Sequence, residues 1–233
     1  MSTALPILCV PGLGCSPRLY AEQIPHLWTV GPVMIGQHSH HESMAEIARS
    51  ILASAPERFA LIGLSMGGYV SFEILRQAPE RVAKLALLDT SARPDTLEQT
   101  ANRRALISQL GNVPMASLVD ALYPRLVHAS RHGDAELRGV FHLMAVETGV
   151  AGFIRQQTAI LGRPDSRPGL SAIRCPTLVL VGEDDELTPP RVAEEMAAGM
   201  ADATLVKVPE CGHLSTLERP DQVTRALMDL LQK

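Results

Sequence analysis

The stretch LIGLSMGGYVSF, residues 61–72, sets three glycines around one serine at the point where an apolar run gives way to a helical pattern. Gly63-Leu64-Ser65-Met66-Gly67 fits G-x-S-x-G, in which the serine takes a sharp strand-to-helix turn and larger side chains two residues away would collide. The pentapeptide alone is a weak signal, because glycine and serine also populate ordinary turns. Its context, a β-rich run before and an amphipathic helix after, is what predicts a hydroxyl standing free at the carboxyl end of a sheet.

Working outward, Ile7 to Val10, Val30 to Ile35, Phe59 to Ile62, Leu85 to Leu88, Thr177 to Val181 and Leu205 to Val208 each read as a short buried strand. Helical patterns separate them. Ser43-Met44-Ala45-Glu46 matches a capping box and opens a helix to about Ala53; Met66 to Ala78 stops before Pro79; Arg191 to Met200 and Pro220 to Leu231 close the series. Strands that are apolar throughout, alternating with helices, predict an α/β fold with a mostly parallel sheet flanked by helices. The alternation stops between Ser91 and Pro168, where apolar residues such as Leu106, Leu118, Leu122, Phe141 and Ile154 recur at helical intervals. Breaks fall at Gly111-Asn112-Val113-Pro114 and Arg131-His132-Gly133-Asp134. The expected organisation is a core of residues 1–90 and 169–233 with a helical lid insertion, 91–168.

Composition narrows the functional classes. The 233 residues are 46% hydrophobic and carry a formal net charge of −4, with no basic run and 3% aromatics, so nucleic acid is not an expected partner. No apolar stretch approaches the roughly 20 residues of a membrane span, and Met1-Ser2-Thr3-Ala4-Leu5-Pro6 has no secretion-signal pattern. A cytoplasmic protein is expected, either monomer or dimer. Cys9, Cys15, Cys175 and Cys211 have no C-x-x-C spacing and read as reduced thiols.

A serine hydroxyl needs a base to take its proton and a carboxylate to orient that base. Gly182-Glu183-Asp184-Asp185 follows one strand and Gly212-His213 follows the last, which puts acids and an imidazole on the rim expected for Ser65. The order Ser, Asp, His is the one such sheets use.

With Val10-Pro11-Gly12-Leu13-Gly14, Gly63-Leu64-Ser65-Met66-Gly67-Gly68, Gly182-Glu183-Asp184-Asp185 and Gly212-His213, nearly the whole chain resembles the α/β-hydrolase fold family, specifically its small lidded esterases and lactonases. The resemblance implies Ser65 as nucleophile, His213 as general base and acid, and Asp185 as orienting carboxylate. Asp184 and Asp89 are the rival acids; Asp184 should point away if Asp185 points in. It also implies an oxyanion hole from the backbone N–H groups of Leu13 and Met66, with Gly12 and Cys15 lining the substrate site. The implied reaction is cofactor-free hydrolysis of a small carboxylic ester or lactone through an acyl-enzyme. Lyase, carbon–carbon hydrolase and acyltransferase chemistry on the same triad, and a non-catalytic ligand receptor, remain as alternatives.

Two departures stand out. The commoner first loop reads His-Gly, whereas Pro11-Gly12 stands here, so a supporting imidazole is expected to be missing. After Ile35, Gly36-Gln37-His38-Ser39-His40-His41 replaces a common Asp-x-x-Gly-x-Gly-x-Ser turn. Three histidines in four residues invite a metal reading, but the cluster precedes a capping box and reads better as a polar loop, so no metal is assigned. His128, His132 and His142 fall in the insertion without matching acids and read as solvated or lid-packing residues. Gly12-Leu13-Gly14 fails as a dinucleotide fingerprint because Pro17 stands where the third glycine is needed. Cys15 and Cys211 are not on an elbow and read as packing. Arg103 and Arg104 favour an acidic substrate if they face the site, and are a solvated helix face otherwise.

Overall fold

The computed structural model describes residues 4–110 and 115–233, so the break read at 111–114 and the start of the chain lie outside the described residues. Six strands form one parallel sheet in the order β2-β1-β3-β4-β5-β6. They are β1 (Ile7–Val10), β2 (Val33–Ile35), β3 (Phe59–Leu64), β4 (Val82–Leu88), β5 (Thr177–Gly182) and β6 (Ala203–Val208). The helices are α1 (Ile24–Leu27), α2 (Met44–Ser54), α3 (Met66–Gln77), α4 (Leu97–Gln109), α5 (Met115–Leu126), α6 (Ala135–Leu161), α7 (Pro190–Gly199), α8 (Ser215–Glu218) and α9 (Pro220–Gln232).

The apolar strands follow from burial on both faces, because successive side chains on a strand point to opposite sides. Ile7, Cys9, Ile62, Leu64, Leu88 and Leu180 join one core with Val223, Leu227 and Leu231 of α9. Their neighbours Leu8, Val10, Leu61, Leu87, Val179 and Val181 join a second core under α2, α3 and α7, through Ile47, Ile51, Val70, Ile74, Ala193 and Met196. A polar substitution at any of these strand positions would enter one core or the other.

One strand is shorter than its sequence pattern. Val30 donates to Leu27 and closes the turn after α1, so Val30 to Pro32 lead into β2 rather than belong to it. Register aligns the strand ends, pairing Val10 with Gly63, Leu64 with Leu88 and Gly182 with Val208. The loops after β1, β3, β5 and β6 therefore open on one edge, where ligands bind in open parallel sheets.

Between β4 and β5 the chain forms α4, α5 and α6. Val119 and Tyr123 of α5 meet Phe141 and Met144 of α6 and continue the first core, while Leu110, Leu118 and Phe153 make a smaller cluster. At 27 residues, with a mean hydropathy of 1.3 in its most apolar window, α6 does reach the length and composition of a membrane span, contrary to the sequence expectation. Leu137, Phe141, Met144, Ala145 and Phe153 have partners inside the fold, Leu143 and Val146 are exposed, and Gly149 at φ 68° interrupts the helix.

Candidate active site

Ser65 sits between β3 and α3 at φ 54°, ψ −114°, a left-handed conformation that costs a non-glycine residue of order 1–3 kcal/mol. Its surroundings hold it there. Ser65 N–H donates to Leu88 O at 2.9 Å, and the Thr90 hydroxyl donates to Ser65 O at 2.7 Å. A Cβ on Gly63 would lie 2.4 Å from Gly67 O, and one on Gly67 would lie 1.9 Å from Val10 O. Only glycine permits these backbones to meet at Gly63 and Gly67, and a Cβ on Gly68 would lie 2.3 Å from the Thr90 hydroxyl that holds Ser65 O.

His213 lies in the loop after β6, buried, with Nε2 2.8 Å from Ser65 Oγ and Nδ1 2.8 Å from Asp185 Oδ2. Because the carboxylate accepts a hydrogen bond from Nδ1–H and so keeps the proton there, Nε2 faces the serine with its lone pair. Burial pushes the imidazole pKa down, but the charge and hydrogen bond of Asp185 outweigh it and the net direction is up. Burial likewise works against ionising Asp185, and His213 and Thr188 reverse it, leaving that carboxyl below the usual range.

Asp185 follows β5 and is saturated. Oδ1 accepts from Leu187 N–H at 2.8 Å and Thr188 N–H at 3.0 Å, and Oδ2 also accepts from the Thr188 hydroxyl at 2.6 Å. Asp184 is exposed; it lies in the turn after β5, so the turn rather than strand alternation separates it from Asp185. Asp184 comes within 3.8 Å of His128 Nε2, so His128, read as lacking a matching acid, has one after all. Asp89 stays off the imidazole: it accepts from Gly182 N–H at 2.9 Å and from the Ser215 hydroxyl. Burial and then the nearby Asp185 charge push Asp89 up to about 8.

Leu13 follows β1 and Met66 opens α3, so the Met66 N–H is one of those a helix leaves without an internal partner. Gly12, Leu13, Cys15, Ser65 and His213 line one cavity of about 360 Å³. Burial pushes the Cys15 thiol up to about 12, leaving it neutral and unreactive.

The missing imidazole is present after all, from another element. His38, on the loop after β2, is buried with Nε2 2.9 Å from Gly12 O. Burial outweighs that bond and pushes it down to about 4, so the neutral ring donates to the carbonyl. Gln156 of α6 sits 3.1 Å from the same nitrogen and accepts from Gly14 N–H at 2.9 Å. His40 is exposed, and Ser43 caps α2 by accepting from Glu46 N–H. Among the described residues no three His, Cys, Asp or Glu side chains converge as a metal group.

Two further residues escape sequence reasoning. Thr188 clamps Asp185, and Glu218, buried in α8, accepts from Gly212 and Leu214 N–H on either side of His213 and from His128 N–H. An acid three residues before a threonine on one loop was the only available sign of the first. For Glu218 there was none, since its partners come from loops that only the tertiary fold assembles.

Comparisons with known proteins agree with this fold. A family model described as "Alpha/beta hydrolase family" matches residues 7–226. A thermophilic esterase from Thermogutta terrifontis, solved with malate bound, is 31% identical and superposes with a TM-score of 0.90 over 99% of this chain and 90% of its own. The chain is 29% identical to a putative carbamate hydrolase RutD of Variovorax paradoxus, over 97% of this chain and 91% of that protein. A pimeloyl-[acyl-carrier protein] methyl ester esterase of Aromatoleum aromaticum is 24% identical over 97% and 98%. With the sheet order, the serine elbow and a family match spanning most of its length, this chain belongs to the alpha/beta hydrolase family.

Proposed function

We propose that the protein is a serine hydrolase that cleaves a small carboxylic ester or lactone. The observation that carries this reading is the unbroken chain of contacts from Ser65 Oγ through His213 to Asp185, each step 2.8 Å. Ser65 Oγ attacks the substrate carbonyl carbon while its proton passes to His213 Nε2. The oxyanion accepts hydrogen bonds from the N–H groups of Leu13 and Met66, each worth on the order of 3 kcal/mol in the transition state. His213 then protonates the leaving alkoxide, and water, deprotonated by the same imidazole, releases the acid and restores Ser65. Asp185 keeps the imidazole in the working tautomer.

Residues 91–168 serve in this reading as the lid. Leu106, Leu118, Leu122, Phe141 and Phe153 come from that segment and face the cavity, offering apolar surface to an acyl or alcohol group. The esterase and carbamate hydrolase names of the relatives support carbonyl chemistry, and the cavity suits a small molecule. The test is a mass adduct on Ser65 from an activated ester, with loss of both adduct and turnover in Ser65→Ala. Turnover that survives Ser65→Ala would remove the nucleophile assignment; turnover of a non-ester substrate without an adduct would favour a proton-abstracting lyase.

A further inference from the structure

One wall of the cavity carries more positive charge than its own residues neutralise. Arg103 of α4 meets Asp95 through Nε at 2.9 Å and Nη2 at 3.3 Å, and its Nη1 reaches Gln157 Oε1. Arg163, just beyond α6, meets the same Asp95 at 2.7 Å and lies 4.3 Å over the Tyr69 ring. All five residues line the cavity that holds Ser65 and His213. The side chains of Arg103, Arg163 and Asp95 are 18%, 7% and 4% exposed, so two largely buried guanidiniums share one buried carboxylate.

Asp95 is ionised there. Burial works against its charge, and the hydrogen bond of Arg103 and the charge of Arg163 hold it below the usual carboxylate range. The group therefore retains one unbalanced positive charge. Among the described residues that line the cavity, Arg125 and Glu186, both exposed, offset each other; the Asp185 carboxylate does not line it and is taken up by His213, Leu187 and Thr188. Leaving a cation uncompensated in a largely buried wall is costly, and an arriving anion removes that cost. Arg104, the neighbour on the same helix, is exposed and does not line the cavity, so the adjacent arginines divide into one facing the site and one facing solvent.

We propose that the wall of Arg103, Arg163, Asp95 and Gln157 is an anion subsite, and that the substrate is a small ester or lactone bearing a free carboxylate. The second half rests on the hydrolase reading above; the first does not. A single surplus charge matches one carboxylate, whose two oxygens suit the planar donors of a guanidinium. The acyl carbonyl sits at Ser65, and the distal carboxylate turns toward the helical segment.

The test compares monomethyl succinate with its uncharged analogue methyl succinamate at neutral pH. Binding is titrated on Ser65→Ala protein, which reads the subsite whether or not the serine reacts, and kcat/KM is measured on the unaltered enzyme. The charged ester should be favoured by about tenfold or more in both, the equivalent of one charge-assisted hydrogen bond. Adding Arg103→Gln should erase most of that preference, while Arg104→Gln, an equal change in net charge, should leave it intact. If Arg103→Gln fails to melt cooperatively, the comparison of the two ligands on Ser65→Ala protein carries the test alone. Equal binding of the two ligands, or a preference lost equally in Arg104→Gln, overturns the subsite. Turnover of both esters at equal rates overturns it and leaves the hydrolase reading intact; selective binding of the carboxylate with no turnover of any ester overturns the hydrolase reading and leaves the subsite.

Discussion

The Nε2 of His38 lies 2.9 Å from the carbonyl oxygen of Gly12, so an imidazole from the loop after β2 braces the turn that carries Leu13, the proposed oxyanion donor. Gln156 holds the other side of that turn through Gly14 N–H. A proline at position 11 removes a donor from the turn, and the two side chains supply hydrogen bonds from outside it. His38→Ala should lower kcat by about 10- to 100-fold with a smaller change in KM, because a loosened oxyanion donor is misplaced in the transition state more than in the bound substrate. Steady-state kinetics with an activated ester checks this; a variant that raises KM alone would show that His38 shapes binding instead.

The two buried aspartates near His213 should respond oppositely to the same substitution. Asp185→Asn removes the charge that fixes the tautomer and should cost roughly 10⁴-fold in kcat. Burial and the nearby Asp185 charge push the Asp89 carboxyl up to about 8, and its hydrogen bonds go to Gly182 and Ser215 rather than to the imidazole. An amide there can still accept from Gly182 N–H and donate to the Ser215 hydroxyl, so Asp89→Asn should stay within a few-fold of full activity. A collapse in Asp89→Asn would reassign the orienting acid.

The sequence exposed the fold wherever local pattern and global position coincide. Strands buried on both faces must be apolar at nearly every residue, so β1, β3 and β5 stand out, and β4 does beyond Lys84, whereas the edge strands blur: β2 into the turn at Val30, and β6 through exposed Thr204 and Lys207. Ser65, Asp185 and His213 were legible as candidates because each lies in the segment that follows a strand end, and strand ends share one rim whatever the details of packing. His38 was visible as a histidine but not as a brace, since the hydrogen bond to Gly12 and the contact with Gln156 span 26 and 118 residues. Arg103 and Arg104 are alike in sequence; only the rotation of α4 against α6 decides which one enters the cavity.

The pH dependence follows from His213. The imidazole must be neutral to accept the Ser65 proton, and the Asp185 charge raises its pKa against the effect of burial. Activity should therefore be lost as pH falls through a value above the ordinary histidine pKa of about 6.5, giving a single acid limb in kcat/KM. A limb centred below that value would mean that desolvation, not Asp185, governs the ring.

Glu218 gives a prediction about stability rather than chemistry. Its Oε1 accepts from Gly212 N–H at 3.0 Å and from Leu214 N–H at 3.3 Å, and its Oε2 accepts from His128 N–H at 2.7 Å, all within a buried corner. Glu218→Gln keeps the shape but turns an NH₂ toward at least one of these donors, leaving it buried without an acceptor. The cost of one such orphan is on the order of 1–3 kcal/mol, so the midpoint of chemical denaturation should fall accordingly. Because the donors flank His213, kcat should fall as well. Unchanged stability would mean that water replaces the carboxylate as acceptor and that the loop holds its imidazole without help.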